Sequence, residues 1–436
     1  MEDKTIVIIP SCSDLNRGDQ ALVWETKRVA EDCGYKGKFY FQTEKNEPIQ
    51  QSLKKGLNPI YPILEHPSRK FKNKKNINYN MLLKMKWGLV SIIDLITSLM
   101  FLYKPTRNII WRTFDDNKKH TYEIFKKADA VFVKGGGLLQ TYGGLSSTYS
   151  MYFWTYPIFL AHVLNKPVYI MPNSFGPFNG PFVKSIAKSA LKKCKLVTSR
   201  EKRSQKMVKE QLNLQIENYA DLAFNLTKSK ISKNMVLNKY DIPKDRKLVA
   251  LTMRPYRFPK SDDPNEAYDK FKSEMAKFIH WLYLQGYMPV MVEHTLAINA
   301  HENDGACIKD VASRLDKKEY RIISNKSFDC CDLKEIYSFF DYIIGTRFHS
   351  LIFSFGSDVP GIAIAYVGNK SQGIMEDMGL GNYVVDIYNV TCTTLCKEFS
   401  NLVKNENIVK QKISKYLTSA KKDRNKIISR IKQIDN

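Results

Sequence analysis

Two series of short apolar runs, each run followed by a stretch of helical period, restrict this chain more than any other feature. In the first series, residues 5–11, 38–42, 130–134, 167–172, 195–198 and 218–220 read as strands. In the second, residues 248–253, 288–292, 320–323, 342–344 and 361–366 do so. Segments of helical period stand between them. Residues 18–33, for example, put Leu22, Val23, Thr26, Val29, Ala30 and Cys33 on one face, and Gly34 follows as a stop. Alternation of this kind predicts an α/β fold of parallel sheets covered by helices on both sides. A polar stretch at 227–246, rich in Lys, Asn, Ser and Asp, interrupts the pattern. The expectation is two Rossmann-like domains, 1–230 and 245–400, with a central cleft at the carboxyl ends of the two sheets where ligands bind. A basic tail, 401–436, spaces Ile413, Leu417, Ala420, Ile427, Ile428 and Ile431 as one helical stripe, which predicts a helix packed on the domains.

A length of 436 residues is comfortable for two such domains. The formal charge of +24 selects for anionic partners: nucleic acid, phosphorylated metabolites or an anionic membrane. The basic stretches lack the interleaved aromatics of a single-strand-binding surface, and nucleic acid is not expected as a partner. The apolar run at residues 6–10 is too short for a signal-peptide core, so a cytoplasmic location is expected. The eight cysteines (12, 33, 194, 307, 330, 331, 392 and 396) lack zinc-site spacing and companion histidines, and no metal is expected.

Residues 81–103 form the least ordinary segment. From Trp87 to Tyr103 only Asp94 is charged, and Lys84, Gly88, Ser91, Asp94 and Ser98 line a narrow polar stripe. A basic run precedes it: Arg69, Lys70, Lys72, Lys74 and Lys75. A span needs about 20 largely apolar residues, and Asp94 at the middle argues against one. Two readings stay open, a helix lying in an anionic membrane surface or a helix buried in the first domain.

Four places carry residues suited to chemistry. After the first strand, Asn16 and Gly18 permit a tight turn, and Asp19 stands at a helix start, where it caps the helix or meets a ligand. After the buried strand at 130–134, Gly135, Gly136 and Gly137 let a backbone approach an anion closely, although neither a Walker loop nor GxGxxG is present. Arg200 ends another strand, where a guanidinium can clamp a carboxylate or phosphate, or pair with Glu201. Arg347, His349 and Lys370 follow the carboxyl ends of successive strands, and a histidine two residues from an arginine there suits acid–base work near an anion.

Taken in order, these pieces resemble the polysaccharide pyruvyl transferases. The resemblance rests on Asn16-Arg17-Gly18-Asp19-Gln20-Ala21, Gly135-Gly136-Gly137, Arg200-Glu201-Lys202-Arg203-Ser204, Asp221-Leu222-Ala223-Phe224, Arg347-Phe348-His349-Ser350, and Tyr366-Val367-Gly368-Asn369-Lys370 with Gly373. The chain departs from the family at Ser11-Cys12-Ser13, where a glycine is usual, and no motif matches from about 53 to 120. The resemblance implies a GT-B-like architecture, with an acceptor side in the first domain and a donor side in the second. It also implies transfer of the pyruvyl group of phosphoenolpyruvate to a sugar, usually as a cyclic ketal on a cell-surface polysaccharide or its precursor. On that reading Arg347, Lys370 and Arg200 hold the donor's two anionic groups. His349 donates a proton or bonds the phosphate, and Asp19 binds the sugar hydroxyls or takes their proton. Asn16, Gly18, Ser350 and the glycines 135–137 line the substrates, and no cofactor is expected. A lipid-linked acceptor at the inner membrane face suits the apolar segment. The competing reading is a GT-B nucleotide-sugar glycosyltransferase, for which Glu335 is the nearest candidate ribose ligand.

Overall fold

The computed structural model describes residues 3–64, 66–67, 81–144, 146–296, 302–366 and 370–435. Within them the strands pair in parallel, in two sheets. The first holds β1 (Lys4–Ile9), β2 (Gly37–Gln42), β3 (Leu57–Ile60), β4 (Ala130–Val133), β5 (Gly136–Tyr142), β6 (Val168–Asn179), β7 (Leu196–Ser199) and β8 (Glu217–Asn218). Its order is β3-β2-β1-β4-β6-β7-β8, with β5 beside β6. The second holds β9 (Leu248–Thr252), β10 (Met288–Val292), β11 (Arg321–Ile323), β12 (Tyr342–Gly345), β13 (Gly361–Ala365) and β14 (Val384–Asp386), in the order β11-β10-β9-β12-β13-β14. Strand order reverses between β1 and β4 in one sheet and between β9 and β12 in the other. At such switch points the loops leaving neighbouring strands diverge and open a crevice at the carboxyl edge.

By contacts the chain divides into one unit of Met1–Ser13, Thr26–Tyr219 and Lys426–Asn436, and a second of Asp14–Glu25 and Ala220–Asn425. The polar stretch 227–246 thus lies inside the second unit, and so does the turn after β1. Three bonds fix that turn to the second sheet's loops. Arg17 Nη2 donates to the Asn325 carbonyl at 2.9 Å, the Leu296 N–H donates to the Leu15 carbonyl at 2.9 Å, and Gln20 Oε1 accepts from the Cys330 N–H at 2.9 Å.

Three strands escaped the sequence reading. β3 contains Pro59, which an edge strand tolerates because its N–H side has no neighbour. β14 is a three-residue edge. β5 begins at Gly136, so the glycine stretch is a single bend at Gly135 that runs straight into a strand along β6. Glycines have low strand propensity and hid it.

The helix Met81–Leu102 is not buried: only 11% of its apolar window lies inside the protein. That overturns the buried-helix reading. The preceding basic run, 69–75, lies outside the described residues. The helix Glu406–Asp435 buries Val409, Ile413, Ala420, Ile427 and Ile431, while Leu417 and Ile428 are half-buried.

Candidate functional site

The second unit gathers its polar side chains at the carboxyl edge of its sheet. The helix Arg17–Asp32 starts there. Asn16 precedes it, and its Oδ1 accepts from the N–H groups of Gly18 (3.2 Å) and Asp19 (3.3 Å). Asn16 Nδ2 donates to Asp19 Oδ2 at 2.9 Å. Asn16 is therefore the capping residue, and Asp19 is a first-turn carboxylate that Asn16 holds in place.

His349 lies directly against this first turn. It sits on the helix Phe348–Phe355, which follows β12. A β-carbon added to Gly18 would stand 2.3 Å from His349 Nδ1 and 2.8 Å from its Cβ. The glycine between Asn16 and Asp19 thus makes room for the imidazole. On the ring's other side, Nε2 is 4.0 Å from Asp221 Oδ2. Asp221 is fully buried, and its second oxygen accepts from the Ala223 N–H at 2.8 Å, which starts the 3-10 turn Leu222–Asn225. Lys334 holds that turn from below: its Nζ donates to the carbonyls of Ala223 (3.3 Å), Phe224 (2.8 Å) and Leu226 (2.8 Å). Burial pushes the Lys334 amine down to about 8, against the raising effect of Glu25. Asp221, Lys334 and the turn form a fixed support for the histidine.

Arg347 follows β12 and is buried. Its Nε donates to Asp304 Oδ1 (2.8 Å), its Nη1 to Glu302 Oε2 (2.6 Å) and its Nη2 to the Glu302 carbonyl (3.1 Å), while Nη2 also lies 2.7 Å from Asp304 Oδ1. Burial alone would lower this guanidinium, but Asp304 and Glu302 outweigh it and hold it above its ordinary value. Asp304 also accepts from the backbone N–H groups of His294 (3.1 Å) and Thr295 (2.9 Å), which ties the ends of β10 and β12 together. Arg254, after β9, donates to Glu302 Oε1 and to the Tyr366 hydroxyl, each at 2.8 Å. Four successive strand ends thus share one ionic network. Replacing Arg347 by Met leaves Asp304 buried without its counter-charge and is expected to lower stability by about 3–5 kcal/mol. A denaturant midpoint equal to that of the unmodified chain would show that the network does not hold the edge together.

The remaining candidates separate. Ser350 is fully buried, bonding the Arg347 carbonyl (2.6 Å) and the Thr252 hydroxyl (2.8 Å), so it ties β9 to the start of its own helix. Lys370 begins the helix Lys370–Asp377 after β13, with its side chain outside the described residues. Glu335 lies on the helix Cys330–Tyr337, 3.7 Å from Lys228 Nζ. Among the described residues, Asp329, Cys330 and Cys331 bring three potential metal-ligand atoms within 4.8 Å of one another, but Asp329 spends Oδ1 on capping its helix through the N–H groups of Cys331 and Asp332.

Arg200, Gly136 and Gly137 belong to the first unit and meet there, after β4 and β7 and beside the middle of β6. Arg200 is 1% exposed; its Nε donates to Ser174 Oγ at 2.8 Å and lies 3.7 Å from Glu201 Oε2. A β-carbon on Gly137 would stand 3.5 Å from Arg200 Nη2, and one on Gly136 would stand 3.9 Å from the buried Lys134 Nζ. Arg200 directly follows β7, and Arg347 and His349 follow β12, as the strand-end rule expected of them. That rule gave no role to Asp221, although Asp221-Leu222-Ala223-Phe224 stood out as a motif. Asp304, Glu302 and Lys334 carried no signal, because their partners are 43 to 111 residues away.

Comparison with known proteins adds to this geometry. A family model described as polysaccharide pyruvyl transferase matches residues 16–369, a span that runs from Asn16 past Arg347 and His349. The chain is 24% identical over 265 residues to the amylovoran biosynthesis protein AmsJ of Erwinia amylovora, covering 58% of this chain and 62% of that protein's length, under two thirds of it. Two solved structures share the fold. The UDP-GlcNAc 2-epimerase of Neisseria meningitidis bound to UDP-GlcNAc superposes with a TM-score of 0.55 and 9% identity, over 99% of this chain and 100% of that one. Phytolacca americana UGT2, complexed with UDP-2-fluoro-glucose and pterostilbene, gives 0.53 and 11%, over 99% of each. The two parallel-sheet α/β domains are those of the GT-B class.

Proposed function

Because the chain belongs to the polysaccharide pyruvyl transferase family, we propose that it moves the pyruvyl group of phosphoenolpyruvate onto a sugar of a cell-surface polysaccharide or of its lipid-linked precursor, closing a cyclic ketal. The observation that carries this reading is the placement of His349, set against the first turn at Gly18 and backed by the buried carboxylate of Asp221.

His349 protonates the methylene carbon of phosphoenolpyruvate, forming a C–H bond and leaving a cation-like centre at the neighbouring carbon. Asp221 supplies compensating negative charge while the ring carries its proton. A sugar hydroxyl attacks that centre and passes its proton to Asp19, and the C–O bond to phosphate breaks. A second hydroxyl attacks the same carbon and closes the ketal, its proton leaving with the phosphate. The donor's anionic groups fall to Lys370 and the N–H groups at the start of the helix Phe348–Phe355. Arg347, with its donors engaged by Asp304 and Glu302, holds the strand ends beside His349 in place. The protein works without a cofactor at the cytoplasmic side of the membrane.

The test is a mass-spectrometric assay with phosphoenolpyruvate and a panel of free and lipid-linked galactosides and hexosaminides. The expected product gains one pyruvate less one water, with release of phosphate. Turnover of a UDP- or GDP-sugar without any pyruvylated product would replace this reading by glycosyl transfer.

A further inference from the structure

We propose that the helix Met81–Leu102 is a docking surface that lies flat in the face of an anionic lipid bilayer. This does not depend on the pyruvyl reading. The helix is inverted relative to an ordinary surface helix, which turns its apolar stripe inward. Here Met85 (65% exposed), Leu89 (62%), Ile92 (56%), Ile93 (56%), Ile96 (53%) and Leu99 (49%) form the outward stripe. Asp94 and Ser98 face the protein instead. Tyr149 Oη donates to Asp94 Oδ2 at 2.5 Å, and Ser98 Oγ shares a hydrogen bond with Tyr152 Oη at 2.8 Å. Both tyrosines sit on the helix Ser147–Val163 of the first unit.

This pinning decides between lying on the membrane and crossing it. By length and composition the helix could cross a bilayer. To do so it would have to pull Asp94 away from Tyr149. It would also have to withdraw the fully buried Phe101 ring from Phe114 and Tyr122, whose centroids lie 4.6 and 5.0 Å from it. One face held in the protein and one face bare is the geometry of an interfacial helix. Tyr103 (64% exposed) and Ile109 (62%) continue the bare surface onto the next helix, Lys104–Thr113, and tyrosine favours the headgroup level.

Charge selects the occupant. Between residues 81 and 114 the chain carries Lys84, Lys86, Lys104, Arg107 and Arg112 against a single acid, Asp94, which is turned to Tyr149. Lys86 on this helix and Lys104 and Arg112 on the next are exposed. A second copy of the chain docking stripe to stripe would bring like charges together, whereas anionic headgroups neutralise them.

The experiment is flotation of the full chain with vesicles of phosphatidylcholine alone and of equimolar phosphatidylcholine and phosphatidylglycerol. The anionic vesicles should bind at least tenfold more tightly, and less so at high salt. An Ile92→Glu/Ile96→Glu variant should lose at least tenfold in vesicle affinity with an unchanged circular-dichroism spectrum and Tm, since both side chains are already in solvent. A Lys86→Glu/Lys104→Glu/Arg112→Glu variant should lose the preference for the anionic vesicles. Vesicle binding that resists alkaline carbonate extraction would mean a span and overturn the proposal. So would equal binding by the parent chain and the Ile92→Glu/Ile96→Glu variant, no binding at all, or a dimer in sedimentation that this variant dissolves.

Discussion

His349→Asn should cut kcat for pyruvyl transfer by about 10²–10⁴-fold, the usual worth of a positioned proton donor. Asparagine keeps a hydrogen-bonding side chain of similar reach but carries no transferable proton. The loss should therefore fall on kcat, with KM for phosphoenolpyruvate changing much less. If His349 only bonded the phosphate, KM would rise instead, and full activity in the variant would remove the residue from the chemistry altogether. Asp221→Asn is the companion measurement. It preserves the shape of the 3-10 turn and its cap to the Ala223 N–H while removing the charge 4.0 Å from Nε2. Its kcat should fall in the same direction by a smaller factor, because the ring keeps its seat against Gly18 and loses only the electrostatic support.

Gly18→Ala should be nearly as damaging to activity as removing the histidine, with at least a hundredfold loss in kcat/KM. The added methyl would stand 2.3, 2.5 and 2.8 Å from Nδ1, Cγ and Cβ of His349. These atoms include the root of the side chain, so a ring flip alone does not clear the contact. Either the imidazole swings away from Asp221, or the first turn of the helix Arg17–Asp32 shifts and carries Asn16 and Asp19 with it. The stability cost of such overpacking is about 1–3 kcal/mol, small enough for the variant to be purified folded and assayed. Native turnover in that variant would mean that the imidazole does not need its place beside the first turn. A loss of activity that tracks a loss of fold, measured by Tm, would assign Gly18 to packing alone.

Much of the architecture was legible because parallel sheets write themselves as apolar runs: β9, β10, β12 and β13 fall where the sequence put them, within two residues. The edge strands β3 and β14 were not, since an edge tolerates Pro59 or a three-residue strand. In the site, Arg347 and His349 were readable from their position after a strand. The partners of Arg347 were not, because the acids that engage it, Glu302 and Asp304, come from another loop 43 to 45 residues away. Asp19 was legible as a residue at a helix start, but the capping role went to its neighbour Asn16, whose amide can both accept from the backbone and donate to Asp19. The helix Met81–Leu102 was recognised as unusual from composition. Which of its faces looks outward could be known only from the positions of Tyr149 and Tyr152.

The membership of residues 14–25 in the second unit has a kinetic consequence. That segment leaves the ribosome 195 residues before Ala220, where the rest of its unit begins (220 − 25). His349 follows another 129 residues later (349 − 220). At roughly 5–20 residues per second of synthesis, Gly18 waits on the order of 20–60 s for the imidazole that will rest against it. During that interval the first sheet can be completed while the Asn16 turn has no partner surface. Assembly of the candidate site is thus an end-of-synthesis event, and chains that stop short of β12 lack the helix that carries His349.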